Sequence, residues 1–319
     1  MDDVTVIGGG GPARACGEVL SRAGFRIFHT FSLEEGDRSP LIVGEVNGAF
    51  SVVLQAVESG RHVLIASPYA LTPERIALLL EKRKRSQAFF VWSERRYHPG
   101  YRFVGGLIEA DASWRPRYLR LESLGAEATN SGLMRWRLLE SLALLVGIAA
   151  EAPLSVAATA TANSVRNAPD FISLFLAFKD IEAFVQVGLG EALERREMLL
   201  AADGRKAYVD ELNQSMPLRL MEDEPANRQS SAARWVSCAA PTEEELARQQ
   251  CFAFLDATLK PNLTQGEADV WLRALAALDA VDRSLQADGA AVPVQIREEE
   301  PRFRLIGGQS LSSLPPSVA

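Results

Sequence analysis

Val4-Thr5-Val6-Ile7 is a β-branched run that ends at four consecutive glycines, Gly8 to Gly11, followed at once by Pro12-Ala13. This junction constrains the fold more than any other feature of the chain. A short apolar run of this kind suits a parallel strand buried on both faces. Ala13 to Ala23 carries Cys16, Val19 and Leu20 at helical spacing and closes at Gly24. Pro12 fits the first turn of that helix, where a missing N–H costs nothing. Strand, turn and helix together frame the signature Gly8-x-Gly10-x-x-Ala13. The first glycine makes the tight turn, the second lets backbone approach a pyrophosphate, and the small third residue allows close helix–strand packing. Amides at a helix start then favour an anion. Gly8, Gly10, Gly11 and Ala13 are therefore candidate cofactor-binding residues; a glycine-rich turn without a ligand is the alternative.

Alternation continues through the first part of the chain. Phe25 to Phe31, Leu41 to Val43, His62 to Ala66 and Ala88 to Trp92 read as strands. Phe50 to Glu58, Pro73 to about Arg85 and Tyr101 to Ala110 read as helices, with Thr72 as N-cap of the second. Such alternation argues for a parallel sheet with helices on both faces. The character then changes. After an apolar helix from Leu133 to Val146 come longer strands at 154–162, 171–178 and 183–189, and a hairpin around Asp203-Gly204. Glu222 to Ala240 reads as a polar loop, and Glu243–Leu259 and Gln265–Leu285 as helices. The expected architecture is α/β. A shortened Rossmann-type parallel-sheet domain (1–120) precedes an α+β domain with a mostly antiparallel sheet (121–306). A Ser/Pro/Gly-rich mobile tail (307–319) follows.

Composition excludes several function classes. With 41 acidic against 34 basic side chains the net charge is −7, which disfavours a general nucleic-acid binder. Three scattered histidines and three cysteines (Cys16, Cys238, Cys251) offer neither metal-ligand spacing nor a disulfide framework. No apolar run reaches the ~18 residues of a membrane span. The opening Met-Asp-Asp lacks the regions of a signal peptide, so a cytoplasmic location is expected.

The adenosine side of the nucleotide domain is unusual. An acidic residue at the end of the second strand ordinarily holds the ribose hydroxyls, but here that strand ends at Ser32. Ser32 and Arg38 suit a 2′-phosphate, which favours NADP over NAD. Ser32 to Pro40 is also too short for a helical crossover.

Two segments carry a family resemblance. Gly60-Arg61-His62-Val63-Leu64-Ile65-Ala66-Ser67-Pro68-Tyr69-Ala70-Leu71-Thr72-Pro73-Glu74 resembles the G-K-H-V-x-x-E-K-P-x-A-x-T-x-E signature of the glucose-fructose oxidoreductase (Gfo/Idh/MocA) family. Glu94-Arg95-Arg96-Tyr97-His98-Pro99-Gly100-Tyr101-Arg102 is similar to that family's N-R-R-F-x-P-x-Y segment. The resemblance implies NADP or NAD at the strand ends, with Ser67 and Pro68 beside it. It also implies a small-molecule ligand in the interdomain cleft, and a homo-oligomer or related subunit on the outer face of the second sheet. Active members oxidise sugar or cyclitol hydroxyls, or run the reverse reduction. The chain departs from the family at its chemistry: Ser67 stands at the lysine position and Ala66 at the glutamate. The segment Gly132 to Glu140, compared with the G-x-L-x-D-x-G-x-H helix, supplies neither Asp nor His. A serine hydroxyl is a poor acid near neutrality.

Tyr97 and His98 are the remaining candidate catalytic pair, since histidine titrates near neutrality and tyrosine donates to an oxyanion; an exposed loop pair is the alternative. Arg95, Arg96, Arg135 and Arg137 are candidate substrate-binding residues, able to hold a carboxylate or phosphate bidentately; ordinary ion pairs are the alternative. Two functions stay open. One is an oxidoreductase-like pseudoenzyme that senses a ligand or serves as a partner subunit. The other is a divergent NAD(P)-dependent oxidoreductase acting on a sugar-like, imine or enone substrate.

Overall fold

The structure is a computed structural model that describes residues 3–30, 39–45, 48–66, 71–126, 131–162, 169–190, 192, 194–213, 215, 217–223, 231–236 and 241–296. Ser32, Ser67, Pro68 and the 307–319 tail lie outside these residues. Among the described residues no helix is long and apolar enough to cross a membrane.

The first sheet is parallel. It contains β1 (Asp3–Ile7), β2 (Arg26–Thr30), β3 (Leu41–Val43), β4 (Val63–Ile65) and β5 (Phe89–Val91), in the order β2-β1-β3-β4-β5. Its helices are α1 (Gly11–Arg22), α2 (Ala49–Ser59), α3 (Pro73–Lys82) and α4 (Pro99–Ala110). Strand periodicity sorts the core onto two faces. Leu41, Val43, Val63, Ile65, Phe89 and Val91 pack with α2 and α3. Ile42, Leu64 and Phe90 point the other way, with Val4 and Val6, onto α1. Both faces are buried, which is why these strands read as unbroken apolar runs.

The second sheet has nine strands among the described residues, in the order β13-β12-β11-β10-β6-β9-β8-β7-β14. They are β6 (Tyr118–Gly125), β7 (Ser155–Ala162), β8 (Pro169–Ala177), β9 (Glu182–Leu189), β10 (Arg195–Ala202), β11 (Arg205–Asp210), β12 (Leu218–Asp223), β13 (Ser231–Val236) and β14 (Val292–Pro293). Only β6 and β9 pair in parallel; the other neighbours are antiparallel. Helices α5 (Ser131–Ala149) and α7 (Pro261–Gln286) pack on each other and on this sheet. The fold class matches the sequence expectation of a Rossmann-type parallel sheet followed by a mostly antiparallel one.

Two features differ from the sequence reading. Within the stretch expected to be a loop, residues 231–236 form strand β13, with Asp223 opposite Ser231 and Leu218 opposite Val236. Ladder bonding to β12 supplies what local composition does not signal. The second difference is α6 (Glu243–Leu259), which returns from the second half of the chain to pack on α1. Its Leu246, Ala247, Cys251, Phe254, Leu255 and Ala257 complete the core on the α1 face, and Phe254 meets Phe90 edge-on at 5.7 Å. The nucleotide-type domain is therefore closed by a helix about 150 residues beyond its last strand, a separation that follows from the two ranges.

The turn after β1 is held by a close backbone crossing. Gly44, which follows β3, donates its N–H to the Ile7 carbonyl at 2.8 Å. A Cβ on Gly44 would lie 2.2 Å from the Gly9 carbonyl oxygen and 2.5 Å from the Ala13 Cβ. Only glycine permits that approach. Gly44→Ala is expected to destabilise the protein by at least about 1–3 kcal/mol through backbone displacement. Urea unfolding against wild type measures this, and an unchanged midpoint would contradict it.

Candidate active site

Ligands of open parallel α/β sheets bind at the carboxyl ends of the strands. Among the described residues those ends present two clusters, the glycine turn after β1 and the Ser93–His98 segment after β5.

At the turn, Gly8 and Gly10 have φ of 80° and 93°, in the region that favours glycine. Gly10 is the N-cap of α1 and gives no side-chain cap bond; Gly11 opens the helix, Pro12 occupies its first turn, and no acid lies there. Ala13 is fully buried and leaves room for the close packing of helix on sheet. The N-terminal amides of α1 are thus the ordinary arrangement for a phosphate. A second strand of backbone crosses the turn. Gly9 donates to the Glu45 carbonyl at 3.0 Å, and Glu45 donates back to the Gly9 carbonyl at 2.7 Å. The exposed Glu45 side chain lies over Gly10: its Cγ and Cδ are each 3.2 Å from where a Cβ on Gly10 would be.

At the end of β5 the chain turns through six residues whose polar atoms are engaged by several different elements. Ser93 is fully buried; its N–H donates to Gln250 on α6 at 3.0 Å, and its hydroxyl to Glu140 on α5 at 2.8 Å. Arg95 is buried. Its Nε and Nη2 lie 2.7 and 2.6 Å from Glu211 Oε1, just past the end of β11. Its other contacts are the Ser141 hydroxyl and the Tyr101 hydroxyl, each at 3.2 Å. Tyr101 in turn donates to Glu211. Arg96 grips both oxygens of Glu267 on α7, with the Nη2–Oε2 bond at 2.9 Å, and stands 5.7 Å over the Trp271 ring. Trp271 donates to Glu267 at 3.1 Å and stacks on Trp136 at 5.8 Å.

Tyr97 and His98 are adjacent in sequence but serve different clusters. Tyr97 packs against the α1–α6 core, with Arg102 6.0 Å over its ring. Burial and the nearby Glu267 push its phenol well above the usual tyrosine range. His98 is buried as the N-cap of α4, its Nδ1 accepting the Gly100 N–H at 3.2 Å, and its ring meets Tyr101 edge-on at 5.6 Å. Burial lowers its pKa, opposed by the carboxylate of Glu211. The structure does not bring the two together as a pair.

The arginines are distributed likewise. Arg135, about one-third exposed, holds both oxygens of Asp282 at 2.9 and 3.0 Å and Glu74 at 2.8 Å, joining α5 to α7 and α3. Arg137, two residues on, is buried. Arg95 and Arg96 come together on the Ser93–His98 turn, each facing its own glutamate. Among the described residues no group of three His, Cys, Asp or Glu side chains could hold a metal ion.

Sequence reasoning missed four carboxylates: Glu45, Glu140, Glu211 and Glu267. Glu140 is the last residue of the segment compared with the family's catalytic helix, which is the one signal that pointed near it. Burial raises its pKa, against Arg95 and the Ser93 hydroxyl, which lower it. Glu211 and Glu267 lie 116 and 171 residues from their arginines, beyond the reach of any local pattern.

No family model matches the chain, and no curated protein sequence does. Solved structures do match. The UDP-N-acetylglucosamine 3-dehydrogenase of Acidithiobacillus ferrooxidans is 21% identical over 89% of this chain and 97% of its own, with a TM-score of 0.68. Levoglucosan dehydrogenase in complex with NADH and L-sorbose is 14% identical over 92% and 99%, with a TM-score of 0.71. A putative myo-inositol dehydrogenase of Sinorhizobium meliloti is 14% identical over 92% and 100%, with a TM-score of 0.67. The chain shares the fold of these proteins over about nine-tenths of its length. At these identities the likeness is one of architecture.

Two predictions follow from the polar seam. Glu211→Ala strands the buried Arg95 guanidinium and is expected to cost about 3–5 kcal/mol, whereas removing both charges together as Arg95→Met/Glu211→Leu restores most of the loss. Equilibrium unfolding of the single and double variants checks this; a neutral single variant would contradict it. Glu140 has a folded-state pKa raised above its unfolded value. Its contribution is therefore present at acid pH and lost as pH rises through the folded pKa. Glu140→Gln is expected to melt above wild type at pH 8, with the gap closing at pH 4. A gap that widens on acidification would refute the assignment.

Proposed function

We propose that this chain is a divergent member of the Gfo/Idh/MocA family that retains the dehydrogenase fold without standard dehydrogenase chemistry. In this reading it acts as a ligand-sensing or partner subunit. The observation that carries the reading is the buried Arg95–Glu211–Tyr101 knot at the strand ends. A proton-handling group must reach its substrate with a pKa near the working pH. Arg95 and Tyr101 are committed to Glu211, Arg96 to Glu267, and His98 Nδ1 to the cap of α4, while the buried Nε2 of His98 has no hydrogen-bond partner among the described residues. The tyrosines are pushed up in pKa and the histidine down.

The glycine turn fits the pyrophosphate of a nicotinamide dinucleotide in its backbone: Gly8 and Gly10 shape it, Gly11 opens α1, and Ala13 packs beneath. Solved structures of this fold carry NADH. When bound, the nicotinamide supplies a hydride donor or acceptor. Ser32 suits a 2′-phosphate and hence NADP; Ser67 and Pro68 belong to the same pocket by resemblance. If Arg95, Arg96 and Arg135 bind an anionic ligand, that ligand must compete with Glu211, Glu267, Asp282 and Glu74, and Arg137 is the fourth candidate of this reading. The outer face of the nine-stranded sheet exposes Phe175 by 62%, beside Phe184 at 4.8 Å. That aromatic patch suits a homo-oligomer or related subunit. A cytoplasmic location belongs to this reading, because three cysteines in the chain offer no disulfide framework by their spacing.

One observation favours the second reading. Glu140, enclosed beside Ser93 with a raised pKa, is the kind of carboxyl that serves as a general acid. A divergent NAD(P)-dependent oxidoreductase acting on a sugar, imine or enone would move its proton there. Purified protein assayed with NAD, NADP, NADH and NADPH against panels of sugars, cyclitols, imines and enones separates the readings by absorbance at the nicotinamide band. No turnover above the protein-free rate is expected. Turnover that disappears in Glu140→Gln would replace the first reading with the second.

A further inference from the structure

We infer that Glu45 occupies the phosphate position of the glycine turn and so sets the affinity of this chain for a dinucleotide. This inference rests on the reading of the turn as a dinucleotide cradle.

Three observations place the side chain there. The reciprocal Gly9–Glu45 backbone bonds fix residue 45 directly across the turn. The Gly44 contact with Gly9 and Ala13 leaves the crossing backbone no room to retreat. The Glu45 Cγ, Cδ and Oε1 then lie 3.2, 3.2 and 3.4 Å from the point where a Cβ on Gly10 would sit. Gly10 is the residue whose missing side chain admits a pyrophosphate to the backbone. In this chain the space above it is taken by a carboxylate of the chain itself.

The charge is suited to the place it occupies. The first turn of α1 has no capping side chain and no acid of its own, and Arg14 stands within it. A negative group near a helix N-terminus is stabilised by the unsatisfied amides. Glu45 supplies that group from another strand end. Its carboxylate is exposed, so a ligand can displace it by rotating the side chain, without moving the backbone bridge. An entering pyrophosphate must both displace the carboxylate and tolerate its charge nearby. Like charges juxtaposed in a binding site weaken association strongly. Glu45 therefore acts as a self-occupying gate that weakens any dinucleotide at this turn. It is a specificity-determining residue and takes no part in chemistry.

The test is a binding titration of NADH and of NADPH by fluorescence with wild type, Glu45→Gln and Glu45→Ala, each first shown to be folded by circular dichroism. Glu45→Ala is expected to bind at least one of the two roughly tenfold or more tighter than wild type, from loss of both charge and bulk. Glu45→Gln falls between them, because it keeps the bulk and loses the charge. Equal affinity of wild type and Glu45→Ala overturns the inference, whether both bind tightly or neither binds. Equal tight binding leaves the cradle reading intact and overturns only the inference, whereas no binding by either protein removes the cradle reading as well.

Discussion

The buried ion pair of Arg95 with Glu211 ties the two sheets together across a shared apolar core. It joins the loop after the last strand of the parallel sheet to the end of β11 in the other sheet. Taking a guanidinium and a carboxylate out of water costs several kcal/mol per ion. Here Tyr101 and Ser141 satisfy further atoms of the same pair and offset that cost. Charge pairs of this kind stabilise less than they specify, since a wrong docking leaves each charge uncompensated. The adjacent residues extend the seam. Ser93 reaches Gln250 on α6 and Glu140 on α5, and Arg96 reaches Glu267 on α7. One six-residue turn thus contacts four elements that follow the parallel sheet in sequence.

That commitment has a chemical consequence. The side chains at the strand ends with the means to bind an anion or move a proton are the ones that hold the architecture together. To free Arg95 for a substrate would strand Glu211 in the interior, and to free Arg96 would strand Glu267. The glycine turn follows the same pattern, with the chain's own Glu45 seated where an anion would go. Among the described residues, Arg95, Arg96 and Tyr101 at these strand ends are thus satisfied from within the chain. Glu140 is the carboxyl whose burial favours a proton, even with Arg95 nearby and the Ser93 hydroxyl donating to it.

Much of the fold was legible because it is written in local patterns. The β1–glycine–α1 junction, the Thr72-Pro73 helix start and the Asp203-Gly204 hairpin each carry their physics within a few residues. Strand β13 was not legible, because Ser231 to Val236 has no clear alternation and gains its form from pairing with β12. The return of α6 onto α1 was equally hidden, since an apolar helix face does not name its partner. At the site, the Arg95-Arg96-Tyr97-His98 stretch was found by resemblance, but its carboxylate partners Glu211 and Glu267 lie more than a hundred residues away. Tyr97 and His98 show the limit most directly. Adjacent in sequence, they point into separate clusters because the chain is turning into α4 at that point, where His98 Nδ1 caps the helix.

The most direct measurement of the central claim is a crystal structure of the wild-type protein grown with millimolar NADH and a cyclitol. The account predicts Arg95 on Glu211, Arg96 on Glu267 and His98 on the Gly100 amide, with no ligand hydroxyl within hydrogen-bonding distance of these side chains. A cyclitol bound to Arg95 or His98, with the nicotinamide against its carbon and Glu211 turned away, would contradict it.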